Sequence, residues 1–225
     1  MREEVKKRAG KATYFFKTAA RGSRDVNYDP DDTFLQYQYY ELRHSGFEIG
    51  LHPSYHAYNH ARYLREEHDV LKRISGAGVT SIRTHYLRFD PVLTPNILAE
   101  NGFSVDSSLG FSHHEGFRRG TCLPFPLFDV SDDRELSLWE MPLTVMDSTL
   151  FTHRSLSLGK AVSESVALMD TCKHHHGVFV GLWHNILWDE QERPGLGDHF
   201  ISCLDQAKNE KAKITSLRSA FESWK

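Results

Sequence analysis

The sequence predicts an α/β fold, a single domain over residues 1–225 in which parallel strands alternate with covering helices. Three observations predict it. Short runs rich in β-branched and aromatic residues alternate with longer runs of helical character. Gly, Pro, Asn and Asp punctuate the joins. Several strand candidates also end on histidine, arginine or aspartate, as expected where functional groups gather at the carboxyl ends of a parallel sheet.

Residues 2–9 are charged and helix-compatible, and residues 12–16, ATYFF, read as a buried strand. Turn residues fill 18–32, with Asp32 as N-cap of a helix over 33–45 that stops at Gly46. Residues 47–51 alternate as a strand and deliver His52 ahead of Pro53. A helix over 59–74 closes at residues 75–78, SGAG, and is followed by a strand over 79–84. After Pro91 and Pro95, a helix over 96–100 ends at Asn101-Gly102, and 103–106 is a fourth strand. The rhythm breaks between 107 and 152, a Gly/Pro/Phe-rich stretch with one clear strand at 138–143, of the kind that lines a site or forms a lid. A helix over 157–173 precedes the apolar strand 177–182, which delivers His184. A Gly/Pro turn at 191–198, helices over 199–208 and 215–224, and a short strand at 212–214 complete the chain.

Composition narrows the function. Hydrophobic residues at 40% and charged residues at 25% support a packed core. A net charge of -3, with no basic face, argues against nucleic acid as a partner. No apolar run approaches the ~18 residues of a membrane span. The start, MREEVKKRAG, lacks the apolar stretch of a signal peptide, so the expected location is cytoplasmic. Cys122, Cys172 and Cys203 show no CxxC spacing and are expected to be reduced.

Histidine, at 14 residues, is in excess. His52 and His56 stand four apart in HPSYH just after a strand, where one helical turn turns both imidazoles the same way. Hydrogen-bonded surface histidines satisfy the same spacing. Arg83 stands at the end of the third strand, and reads either as a site residue or as a salt-bridging one. Asp106 ends the fourth, and reads either as a carboxylate orienting a catalytic group or as an Asx turn capping a loop. His184 closes the apolar strand, where an imidazole needs a polar partner or an open cleft.

HPSYH, SIRTHYLRFD, GFSVDSSLGF, LPFPLFD, EMPLTVMD and GLWH together resemble the polysaccharide deacetylases, the chitooligosaccharide deacetylase-like carbohydrate esterases, in a branch carrying HPSY and RxHYLRFD. The resemblance runs from Ala12 to the last strand. It implies an incomplete, distorted (β/α) barrel: the family's seven-stranded barrel without its first strand. It implies His52 and His56 as ligands of a divalent metal, zinc above all, with Pro53 where the family's motif carries a hydroxyl residue. It further implies His184 as the general acid, with Arg83 and Asp106 steering the catalytic groups. His85, Arg88 and Trp183 are implied as substrate contacts. The activity implied is metal-dependent removal of acetyl groups from N- or O-acetylated polysaccharide or oligosaccharide. A bound metal lowers the pKa of its water toward ~7 and polarises the acyl carbonyl, and an acid protonates the leaving amine.

The family's paired aspartates, which serve as base and third metal ligand, have no counterpart before residue 12. Asp29, Asp31 and Asp32 are explained as turn and helix-capping residues. The chain therefore reads as truncated relative to the family, with two possible states: an impaired enzyme, or an inactive sugar-binding or scaffold relative. Strand 12–16 would keep an uncovered edge through which copies could associate. A metal-dependent phosphoesterase fits less well, because clustered carboxylates are lacking. His174, His175 and His176 read as helix-terminal cations, His113 and His114 as loop residues, and His44, His60, His68, His153 and His199 as surface residues. Trp139, Trp183 and Trp188 could stack on sugar rings or pack the core.

Overall fold

The computed structural model describes residues 1–19, 24–25, 28–185 and 195–225. Trp188 and the first part of the 191–198 turn lie outside them. Contacts divide the chain into two compact units: Thr13–Ser108, Pro124–Met141 and Ser216–Lys225 form one, and Met1–Ala12, Leu109–Leu123 and Pro142–Thr215 form the other.

The first unit is built on a six-stranded sheet. Its strands are β1 (Thr13–Phe16), β2 (Glu48–Leu51), β3 (Ser81–Ile82), β4 (Val105–Asp106), β5 (Phe125–Asp129) and β6 (Arg134–Glu140), in the order β1-β2-β3-β4-β6-β5. β1 to β4 and β6 are parallel, as the strand–helix alternation predicts. β5 is antiparallel to β6. This hairpin lies inside the segment expected to hold one strand, and its turn chemistry is local. Asp129 Oδ1 accepts the amides of Ser131 and Asp132 at 3.0 and 3.2 Å, and Asp133 takes φ 49°. The expected strand at 138–143 is thereby corrected: β6 ends at Glu140 and a further strand starts at Leu143.

Helices α2 (Thr33–His44), α3 (Ala61–Ser75) and α4 (Thr94–Glu100) connect the parallel strands. Asp32 caps α2 by accepting the Phe34 amide, and Gly76 ends α3 at φ 60°. α3 buries Leu64, Leu71 and Ile74 at helical spacing, together with His68. His68 is not the surface residue expected. It is 4% exposed, bonds the Val79 carbonyl at 2.7 Å through Nε2 and stacks on Phe103. α7 (Leu217–Trp224) contacts β4, and its Phe221 packs against Trp139.

The second unit holds α1 (Arg2–Lys7), the parallel pair β7 (Leu143–Met146) and β8 (Val180–Leu182), and the packed helices α5 (Leu158–His174) and α6 (Leu196–Asn209). Val145, Leu150 and Ala161 form a buried cluster with Phe151, Leu156, Leu168 and Phe179 against it. Residues 212–214, expected as a strand, pair with no strand among the described residues, although Ile214 O accepts the Lys11 amide at 3.0 Å. All three cysteines are buried free thiols. The sheets among the described residues are open, so the expected barrel closure is not seen there.

Candidate active site

Strand register creates the first cluster. Phe16 pairs with Leu51, Leu51 with Ile82, Ile82 with Asp106 and Asp106 with Glu140, forming one row across five strands. The next residues continue the ladder: the amides of His52, Arg83 and Ser107 donate to Phe16 O, Leu51 O and Ile82 O at 2.8, 3.0 and 3.1 Å. Lys17, His52, Arg83 and Ser107 therefore stand abreast at the carboxyl edge, on strands about 4.8 Å apart.

His52 is fixed by its backbone surroundings. Nδ1 lies 2.6 Å from Arg83 O, so it carries the proton and donates, leaving Nε2 as the acceptor nitrogen. Burial holds the imidazole well below its ordinary pKa, with the Arg83 carbonyl opposing. The His85 ring meets that of His52 at 5.0 Å between centroids. His85 Nδ1 lies 3.0 Å from Asp25 Oδ1, which also accepts the Tyr55 amide at 2.9 Å. Lys17 Nζ lies 2.7 Å from His85 Nε2 and 3.3 Å from Nδ1. Desolvation lowers the Lys17 pKa, while Asp25 and Glu67 raise it.

The HPSY segment is held from beneath by Glu67 of α3. Its two carboxylate oxygens accept the Ser54 hydroxyl at 2.5 Å and the Ser54 amide at 2.7 Å. Desolvation raises the Glu67 pKa, and the Ser54 bonds pull it back. His56 is exposed at the start of a single turn, Ala57–Asn59, with its ring against Tyr55. Arg88 is clamped: it donates to Tyr55 O at 2.7 Å and to the Tyr58 hydroxyl at 2.9 Å, and its guanidinium lies over both rings. Tyr86 and Leu87 take φ 56° and 53°, and Tyr86 is 64% exposed.

Arg83 and Asp106 lie deeper, at 6% and 0% exposure. Arg83 donates to Ser107 O at 3.0 Å and to Ser107 Oγ at 2.9 Å, with Phe15 under its guanidinium. Burial pushes it down to about 10, against the pull of Asp106 and Glu140. Asp106 Oδ1 accepts the Ser107 amide at 2.8 Å and the Ser108 hydroxyl at 2.5 Å, the pattern of the loop-capping turn. Glu140 is its register partner on β6, and burial pushes the Asp106 carboxyl up to about 6. Glu140 went unnoticed in the sequence because nothing local marks a strand-ending glutamate as buried.

The second cluster belongs to the other unit. β7 is buried at all four positions and delivers Asp147, which is wholly buried, while its partner β8 leads to His184. Asp147 Oδ1 lies 2.7 Å from His184 Nδ1 and accepts the Ser148 amide at 2.6 Å; Oδ2 accepts the His184 amide at 2.6 Å. Nδ1 is thus the protonated nitrogen facing a carboxylate, and the ring remains 42% exposed. The sequence carried one signal for Asp147, the acidic residue closing the apolar run LTVM.

Trp183 donates its indole N–H to His199 Nδ1 at 3.1 Å and packs on Phe200. His199 is 0% exposed, which corrects its expected place at the surface. Its Nε2 meets Ser165 Oγ at 3.0 Å, and burial brings its pKa down to about 4. Gly181 permits this arrangement, since a Cβ there would lie 2.3 Å from the Trp183 ring.

A divalent metal fits these donors poorly. Catalytic zinc takes three protein ligands. Among the described residues, no group of three or more His, Cys, Asp or Glu side chains could hold one. The imidazole beside His52 is that of His85, and Lys17 already sits against it.

No known family matches the chain by sequence profile, and no curated protein matches it. Solved structures do. A provisionally assigned polysaccharide deacetylase from Mycobacterium smegmatis superposes with a TM-score of 0.71 at 17% identity, over 98% of this chain and 74% of that one. A GH57 branching enzyme from Thermococcus kodakaraensis, solved with glucose, gives 0.57 at 8% identity, over 85% of this chain and 50% of that one. At such identities the likeness is one of fold, and the chain has the mixed α/β fold of the Mycobacterium protein.

Proposed function

We propose that the chain is a deacetylase-type hydrolase acting on acetylated polysaccharide or oligosaccharide, with His184 as its acid–base residue. The carrying observation is the Asp147–His184 pair, a half-exposed imidazole whose Nδ1–H is held by a buried carboxylate. That arrangement presents Nε2 for proton transfer. His184 takes a proton from the attacking water as the water oxygen bonds the acyl carbon. The acyl C–N or C–O bond then breaks, and the proton passes to the departing sugar nitrogen or oxygen, releasing acetate. Asp147 does not contact substrate; it fixes the tautomer. Arg88 and Trp183, which the resemblance placed at the substrate, and Arg83 and Asp106, to which it gave a steering role, all have polar groups engaged within the protein.

The test is acetate release from an acetylated chitooligosaccharide by the whole chain and by His184→Ala. Release by the wild type that the variant loses supports the reading; equal release from both would reject it. A second reading, a sugar-binding relative without hydrolysis, is favoured by the poor metal fit beside His52. Sugar binding without acetate release would select it.

A further inference from the structure

We infer that the Lys17 ammonium keeps a divalent cation from binding beside His52 and His85, so that this strand edge carries its own cation and admits an oxygen acceptor instead of a metal ion. The inference rests on placement. β1 and β2 register sets Lys17 abreast of His52, and Lys17 Nζ reaches His85 Nε2 at 2.7 Å. Asp25 takes Nδ1 at 3.0 Å, which makes it the donor and leaves Nε2 the acceptor nitrogen. Lys17 Nζ, 2.7 Å from Nε2 and 3.3 Å from Nδ1, sits against the ring itself. A metal on Nε2 would have to tolerate this positive neighbour a few ångströms away. Asp25 and Glu67 supply the negative charge that keeps the half-buried ammonium in place. The remaining N–H bonds of Lys17 suit an acetyl carbonyl or a carboxylate.

The inference deepens the reading of the chain as a sugar deacetylase, but its test does not use activity. Chelator-treated protein is titrated with Zn²⁺ by calorimetry and with Co²⁺ by visible absorption, as wild type, Lys17→Met and Lys17→Met/His52→Ala. Thermal unfolding first shows that each is folded, and Lys17→Gln replaces Lys17→Met if the latter is not. Removing one like charge should tighten metal binding by about tenfold or more. The double variant should lose that gain, which separates it from binding at the exposed histidines 174–176. One equivalent bound by the wild type at micromolar metal and abolished by His52→Ala would overturn the inference, as would equal affinity of wild type and Lys17→Met. Acetate assays run in parallel keep the two claims apart. A wild type that binds zinc through His52 and releases acetate refutes only the inference; one that does neither refutes only the hydrolase.

Discussion

His184 and Asp147 meet through one 2.7 Å hydrogen bond, and each end of it can be removed alone. His184→Ala should lower turnover by about 10²-fold or more, the usual worth of a general acid–base group. Asp147→Asn should also lower turnover while leaving KM nearly unchanged, and should move the pH–rate profile, because the amide no longer fixes the tautomer. A changed KM with an unmoved profile would make Asp147 merely structural. Arg83 is different in kind. Arg83→Met leaves the Asp106–Glu140 pair without its cation and should cost about 3 kcal/mol in urea unfolding. His52 and His184 were visible as strand-ending histidines in an apolar context. Lys17, Asp25 and Asp147 were not, because their partners lie 68, 60 and 37 residues away and no periodic pattern encodes that distance.

At the scale of elements, local rules carried far. Asp32, Gly46 and the SGAG sequence bounded α2 and α3 within a residue or two, because caps and left-handed glycines act over one turn. The 107–152 segment was less legible: its hairpin depends on pairing partners, and its strands look like loop in isolation. β8 shows how an element can serve a neighbour. Gly181→Ala would drive a methyl into the Trp183 ring and pull the indole from His199, costing about 1–3 kcal/mol. A red-shifted tryptophan emission alongside the lower urea midpoint would confirm that route; an unchanged spectrum would deny it.

For the whole molecule, pH sensitivity sums groups with opposite signs. His199 falls from 6.5 to about 4 on folding, so between those values the unfolded chain takes a proton that the native state refuses. Stability is then lost as pH falls from 6.5 towards 4, by up to about 3 kcal/mol. His52 and His68 are shifted in the same direction. Asp106 rises from 3.8 to about 6, so the native state keeps a proton that the unfolded chain has released, and stability gains as pH falls through that window. Glu67 is raised likewise, and three histidines against these two carboxyls predict a net loss on acidification. His199→Gln should flatten the urea midpoint measured from pH 7 to 4.5; midpoints that rise towards pH 4.5 would contradict the balance. Among the described residues β1 has a single sheet neighbour, which is the basis for expecting concentration-dependent self-association in light scattering. A monodisperse monomer at all concentrations would remove that expectation.

The two successive left-handed residues after His85 carry a consequence for engineering. Side chains at such φ values cost roughly 1–2 kcal/mol each, a strain usually kept where function needs it. Tyr86→Gly should therefore raise the melting temperature, yet it deletes the phenol ring leaning on His85 and Tyr55. A chain optimised for durability at this corner would give up the aromatic brace that leans on both rings.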